Sequence, residues 1–280
     1  MSNRQIYFGT QERMTWIKSP AINADISYNR WSAEGVFING GAYSRRSSSG
    51  HMRYQFSWNL ASHKDIYPIA DYDAGLYGSG LIYFIEPFSS QTNCLSAFWA
   101  APRLQAEDAP SLVKGADPTL VNTASNVNGY PTKSAVFELE SDSEFSTLWI
   151  PIPPDHTLHF GVHGNATGTA RVTVLPDGGS VIDVTPLLVT TTTLTNVTVS
   201  GTTGATISAA GEGYLTLAGM VAQVLPTGTP APVGRFWGGR GHSGCRFSAS
   251  GLATNAYSAP SALDKIGASA TLIEVGAWEQ

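Results

Sequence analysis

Hydrophobic residues occur along this chain in short blocks, many with a period of two, which is typical of β-strands. The clearest case is residues 51–58, in which Met52, Tyr54, Phe56 and Trp58 alternate with polar residues. This alternation predicts a half-buried strand. The block 81–85 (LIYFI) is apolar throughout and lies between a glycine and a proline-containing segment. Since it is too short for a stable helix, we expect a strand buried on both faces at the centre of the fold.

Further strand-like segments follow one another at intervals of about eight to twelve residues, as in a β-sandwich or jelly roll. Segment 105–130 has few large apolar residues and many turn residues, which indicates a connector or a surface excursion. We therefore predict an all-β chain of two β-sandwich or jelly-roll-like domains with little or no helix. The expected boundaries are an N-terminal β domain at 1–108, a connector at 109–130 and a second domain at 131–280 that includes the C-terminal strand.

The composition favours the same fold class. Charged residues make up only 13% of the 280 residues, which argues against exposed helices, and 42% are hydrophobic, which argues against disorder. The formal charge of −5 gives no general attraction to nucleic acid. No apolar run approaches the roughly 20 residues of a membrane span, and the N-terminus lacks the apolar core of a secretory signal. Cys94 and Cys245, the two cysteines, are expected to be reduced and buried.

A glycine-rich motif at 239–244 (GRGHSG) matches the spacing of a dinucleotide-binding loop, and Asp264 follows about 20 residues later. Such a loop must lead into a helix, whose N-terminus meets the pyrophosphate. Residues 245–260 are rich in Ser, Gly and Asn, so we expect a close-packed loop and no nucleotide site.

Three histidines, His156, His159 and His163, are the candidates for a metal site. On a strand His159 and His163 lie about 13 Å apart and His156 points to the opposite face, so they cannot share one ion. We expect an exposed strand face.

Two acidic pairs are candidates for hydrolytic or calcium chemistry. Glu138 and Glu140 would lie about 7 Å apart on a strand, a separation that glycosidases use, although solvated strand faces often carry such pairs. Asp71 and Asp73 match the start of a calcium loop but lack its remaining ligands, so turn chemistry is favoured. The sequence therefore predicts no catalytic residue, no cofactor site and no metal site. A hydrolase that uses one of these acidic pairs ranks third, after the two hypotheses described below.

Arg45, Arg46 and Arg53 form the one basic concentration, beside a Ser/Gly-rich segment at 47–50 that we expect to be a flexible tip. Because the chain is acidic overall and no aromatic residues interleave the tip, the expected partner is a protein. With Trp31, these arginines are the predicted interface residues.

Several segments resemble the minor tail proteins of long-tailed (siphovirus) phages that infect actinobacteria. They are DAGLYGSGLIYFIEPFSSQTNCLSAFWAAP, MTWIKSP, YNRW, GRGHSGCRFSASGLATNAYSA and ATLIEVGAW. The resemblance covers both ends of the chain, and the middle, about 119–226, is less diagnostic. It implies a virion protein near the tail tip, made in the host cytoplasm, that forms rings of three or six copies and binds other tail proteins. It implies no enzymatic activity and no cofactor.

A carbohydrate-binding module is the alternative, because sandwich and jelly-roll domains often bind sugars. Such a module would contact a glycan of the host envelope through a row of exposed aromatic residues. The candidates in the central domain are Trp149 and Tyr214, which are isolated in the sequence.

Overall fold

The computed structural model describes residues 5–20, 25–36, 42–78, 80–86, 90–95, 97–101, 113–114, 119–122, 133–141, 144–145, 148–185, 196–230, 236, 238–239, 244–256 and 265–275. The chain is all-β, as predicted, with all named strand pairs antiparallel. The helices are α1 (His63–Asp73) and α2 (Ala97–Ala100). The strands are β1 (Gln5–Thr10), β2 (Arg13–Lys18), β3 (Asp25–Val36), β4 (Ala42–Ser62), β5 (Tyr83–Ile85), β6 (Val113–Lys114), β7 (Thr119–Asn122), β8 (Lys133–Leu139), β9 (Glu144–Phe145), β10 (Leu148–Pro151), β11 (His156–Ala166), β12 (Arg171–Pro176), β13 (Ile182–Asp183), β14 (Asn196–Ser200), β15 (Gly204–Ala210), β16 (Gly213–Pro226), β17 (Cys245–Ala256) and β18 (Lys265–Glu274).

The second half of the chain forms a sandwich-like pair of sheets. One sheet has the order β14-β11-β16-β8-β7 and the other β10-β15-β12-β13. Alternate residues of β8 are buried, with Ala135, Phe137 and Leu139 inside and Glu138 exposed. Both sheets contribute to a single hydrophobic core, so burial of apolar surface holds them together. The jelly-roll topology stays a prediction.

The C-terminal strands join the N-terminal ones in a sheet of order β17-β18-β4-β3. We expected the C-terminal strand in the second domain, and on this point the prediction was wrong, because β18 pairs with β4 from Lys265↔Ser62 to Ile273↔Arg53. Alternation on β4 is as predicted, with Tyr54, Phe56 and Trp58 buried in a second core. The predicted connector 109–130 supplies β7, which pairs with β8. The domain boundaries themselves stay a prediction.

A three-stranded sheet, of order β2-β1-β5, lies between the two cores. Tyr7 and Ile85 contribute to the sandwich core, whereas Ile6, Phe8 and Phe84 contribute to the second core. The three residues of β5 are all buried, so the predicted strand with two buried faces is confirmed. This sheet is the wall that the two halves of the fold share.

The segment 91–95, which follows β5, connects the three-stranded sheet to the sandwich through hydrogen bonds along the edge of β16. β8 pairs with β16 only from Gly213 to Leu217. Beyond that point, Asn93 Nδ2 donates to the Met220 carbonyl (3.0 Å) and Asn93 Oδ1 accepts from the Ala222 N–H (3.1 Å). The Cys94 N–H donates to the Ala222 carbonyl at 2.8 Å. Asn93, which is fully buried, therefore replaces the missing strand.

Helix α1 was not predicted from the sequence, which favoured only turn chemistry at Asp71 and Asp73. Ile66, Ile69 and Tyr72 recur every three residues and pack into the second core. At the N-terminus, Asp65 Oδ2 accepts hydrogen bonds from the Ser62 N–H and hydroxyl, at 3.3 and 2.7 Å. This capping interaction starts the helix, and Pro68 within it concealed the pattern.

Candidate functional site

The longest hairpin, between β3 and β4, extends beyond the sheet to which it belongs. β3 and β4 pair from Asp25↔Gln55 to Val36↔Ala42, whereas β18 reaches only Arg53 on β4. Among the described strands, residues 28–36 and 42–52 therefore pair only with each other, and we call these two segments the β-arm. At about 3.3 Å per residue, nine residues span about 30 Å. Both outer edges of the β-arm carry backbone groups that no described strand pairs.

Three of the four predicted interface residues belong to the β-arm. Arg45 pairs with Ala33, Arg46 pairs with Ser32, and the register shifts between Arg30 and Ser32, where Trp31 lies. Arg53 is exposed and lies at the base of the β-arm. The expected tip at 47–50 is instead part of β4 and faces the register shift, so the prediction of a loop was wrong. Serine and glycine residues occur in irregular strands as well as in loops, so the sequence of this segment did not distinguish a strand from a loop.

The charge of the β-arm is opposite to that of the rest of the chain. Its two segments contain Arg30, Arg45 and Arg46 against the single acid Glu34, a formal charge of +2. Since the whole chain carries −5, the remainder carries −7. A basic arm and an acidic body on the same chain are complementary between copies.

A groove of about 550 Å³ lies where the shared three-stranded sheet meets one end of the sandwich. Trp16 of β2 lies at this groove with 40% of its surface exposed. Its ring centroid is 5.1 Å from that of Tyr7 and 5.8 Å from that of His156. The groove is lined by Gln5, Trp16, Ile85, Glu86, Ser90, Gln91, Pro153, His156, Val224, Leu225, Pro226 and Thr229.

A tight turn positions His156 at the groove. Asp155 has a positive φ of 60°, and the His156 N–H donates to the Pro153 carbonyl at 3.1 Å. The His156 Nδ1 lies 2.9 Å from the Pro154 carbonyl, and because a carbonyl only accepts, Nδ1 carries the proton. In the neutral ring Nε2 is therefore an acceptor. The Thr227 N–H donates to the Asp155 carbonyl (2.8 Å) and ties this turn to the end of β16.

The groove was not found from the sequence, although Trp16 belongs to one of the segments that carry the resemblance. A large aromatic residue on the face of β2 opposite the buried Ile17 was the available signal. Glu86, Gln91 and His156, which line the groove with Trp16, are far from it in sequence, so no local pattern connects them.

The predicted histidine candidates do not form a metal site, and their strand face is not uniformly exposed. His163 is buried at 1% exposure, contrary to the expectation, beside a register shift in β11. Burial lowers the pKa of His159, whose Nε2 has no hydrogen-bond partner in the structure. Within the described residues, no group of three His, Cys, Asp or Glu side chains is arranged to hold a metal ion.

The acidic pairs have structural or exposed positions. Glu138 and Glu140 are both exposed, and Glu138 accepts a hydrogen bond from the Tyr214 hydroxyl at 2.9 Å, which raises the pKa of Tyr214. Asp71 and Asp73 lie in the last turn of α1 and not in a calcium loop. Asp73 accepts from the Leu252 N–H at 3.0 Å and so fastens α1 to β17.

The remaining candidates are also accounted for. A strand, β17, begins at Cys245 directly after the glycine-rich motif, so the helix of a dinucleotide site is absent there. Residues 240–243 of the motif lie outside the described residues. Cys94 and Cys245 are buried free thiols, as expected. Trp149, a candidate for sugar stacking, is buried against Tyr83 with ring centroids 4.8 Å apart, so that assignment was wrong.

Comparison of the sequence with models of known protein families gives no match, and no curated protein is similar to it above the threshold of significance. Within the described part of the chain, no helix is both long and apolar enough to cross a membrane.

Proposed function

We propose that this protein is a structural component of a phage tail, at or near the tail tip, and that it acts through contacts with copies of itself and with other tail proteins. The observation that carries the proposal is the β-arm. It presents two strand edges that no described strand pairs, and it carries a formal charge of +2 on a chain whose remainder is acidic.

Unpaired edges of this length rarely stay exposed, because their N–H and C=O groups pair readily with another strand. A two-stranded ribbon alone is also marginally stable in water. Pairing with a strand of a neighbouring subunit would satisfy the edge and stabilise the ribbon together. Repeated head-to-tail contacts of this kind close into rings when the rotation between subunits permits.

The resemblance to minor tail proteins of actinobacterial siphoviruses supports the location. The protein's expected role there is assembly, in a ring of three or six copies, without chemistry. Among the described residues, the two acidic pairs are exposed or engaged in hydrogen bonds and do not line the groove.

The location is tested on phage particles whose genome encodes this chain. We expect mass spectrometry of purified particles to detect the protein at several copies per virion. Gold-labelled antibodies against the purified protein should mark the tail end distal to the capsid. If antibodies that bind the purified protein give no label on intact or gently disrupted tails, and the peptides are missing from the particles, the proposal is wrong.

A further inference from the structure

We infer that the groove beside Trp16 is a binding site for a neutral saccharide. This goes beyond assembly, since the groove and the β-arm share no residue. Sugars combine apolar ring faces with hydroxyl groups at the rim, so their sites pair an aromatic surface with a few amide, hydroxyl or carboxylate groups.

Trp16 supplies the aromatic surface. Trp16, Tyr67 and Tyr214 are the exposed aromatic residues among the side chains whose burial the structure describes, and of these Trp16 is the one that lines the groove. Contacts with Tyr7 and His156 hold its ring in place, and β2 pairs along its whole length with β1. A ring that is already ordered loses little entropy when a ligand binds, which favours affinity.

The polar lining suits hydroxyl groups. The Gln5 and Gln91 side chains each offer a donor and an acceptor, Thr229 offers a hydroxyl, and the neutral ring of His156 offers Nε2 as an acceptor. The backbone near Gln91 is also fixed, because its carbonyl accepts from Gln223 Nε2 at 2.9 Å. These groups come from both halves of the fold, which Asn93 holds together.

The charge of the lining selects a neutral ligand. Among the described lining residues Glu86 is the one formal charge, and no lysine or arginine is present. A phosphate or an acidic sugar would therefore meet a like charge in the described lining. The volume of about 550 Å³ lies within the range of small-molecule sites, about 300–1,000 Å³.

The test is saturation-transfer NMR together with tryptophan fluorescence on the full chain. The probes are glucose, galactose, mannose, rhamnose, arabinose and N-acetylglucosamine with their di- and trisaccharides. We expect at least one to bind the wild-type protein, with the saturation signal on its ring protons. Trp16→Ala should weaken this binding at least about tenfold.

Two further variants separate binding from folding. Gln91→Ala should weaken binding several-fold without loss of stability, because the side chain is exposed and the carbonyl contact with Gln223 is kept. Tyr67→Ala, at an exposed aromatic residue outside the groove, should bind as the wild type does.

Three results would overturn the inference. The first is no binding of any probe up to about 10 mM, ten times a weak Kd of about 1 mM. The second is binding that Trp16→Ala and Gln91→Ala leave unchanged, which would place the site elsewhere. The third is preference for choline, lost in Glu86→Gln, which would make the groove a site for cations.

Discussion

Replacement of Asn93 by alanine should destabilise the protein strongly, although the side chain is small and belongs neither to the β-arm nor to the groove lining. Asn93 is fully buried and completes the edge of β16 where β8 ends. Its side chain makes three hydrogen bonds, at 3.0 Å to the Met220 carbonyl and at 3.1 Å to the N–H groups of Ala222 and Leu95.

The size of the effect follows from these bonds. Alanine would leave two buried N–H groups and one carbonyl without their side-chain partner, at about 1 kcal/mol or more each. The expected loss of unfolding free energy is about 3 kcal/mol, a large fraction of the roughly 5–15 kcal/mol that typical proteins have. For a chain of this size, the melting temperature should fall by about 6 °C or more.

Urea unfolding followed by tryptophan fluorescence, with a thermal melt beside it, measures this loss. Gln91→Ala is the matched control, since it removes an exposed amide two residues away and should change stability by less than about 0.5 kcal/mol. If Asn93→Ala is as stable as Gln91→Ala, then Asn93 does not join the two halves of the fold as the structure indicates.

Three further predictions concern packing, thiols and pH. Gly204→Ala places a Cβ 2.3 Å from the Trp149 ring and should lower the free energy of unfolding, measured in urea, by about 1–3 kcal/mol. Gly80→Ala is the control, since no atom lies within 4 Å of its Cβ and its stability should not change. Equal stabilities of the two variants would refute the close contact. Burial raises the pKa of both cysteine thiols, so an alkylating reagent at about pH 8 should modify neither thiol in the folded protein and both in urea. Mass spectrometry measures the labelling. Rapid labelling of the folded chain would contradict the burial. Burial lowers the pKa of His159 below its usual 6.5, so the unfolded chain binds its proton more readily, and stability falls as the pH drops below about 6.5. His159→Gln should reduce that fall between about pH 7 and pH 5, and an unchanged slope would exclude His159 as its source.

The alternating and fully apolar blocks predicted strands correctly, because neighbouring side chains on a strand point to opposite faces. The local order of polar and apolar residues therefore shows which faces are buried. The pattern at 51–58 became the buried face of β4, and the apolar block 81–85 supplied β5, whose residues pack into both cores. Helix α1 was not predicted, because its apolar residues are few and Pro68 lies among them. The pairing of β18 with β4 joins positions about 200 residues apart, and nothing local specifies such a partner.

The two candidate sites were predictable to different degrees. The arginines of the β-arm are adjacent in sequence, so their concentration was visible, but the strand that carries them was mistaken for a loop. The groove joins Trp16 to Gln91 and His156 across distant parts of the chain. Trp149 was predicted as a site residue and is instead buried. Its burial depends on Tyr83 and on the absence of a side chain at Gly204, both of which are remote from it in sequence.

The mass of the purified protein in solution, measured by light scattering over a range of concentrations and salt, tests the assembly role most directly. We predict a closed species of about 89 or about 178 kDa, three or six times the 29.7 kDa of the chain. The double variant Arg45→Glu/Arg46→Glu should reduce this species. Lys64→Glu/Arg246→Glu, an equal charge change at exposed positions outside the β-arm, should not. A monomer at every concentration, alone and with other tail proteins, or a ring that the β-arm variant leaves intact, would contradict assembly through the β-arm.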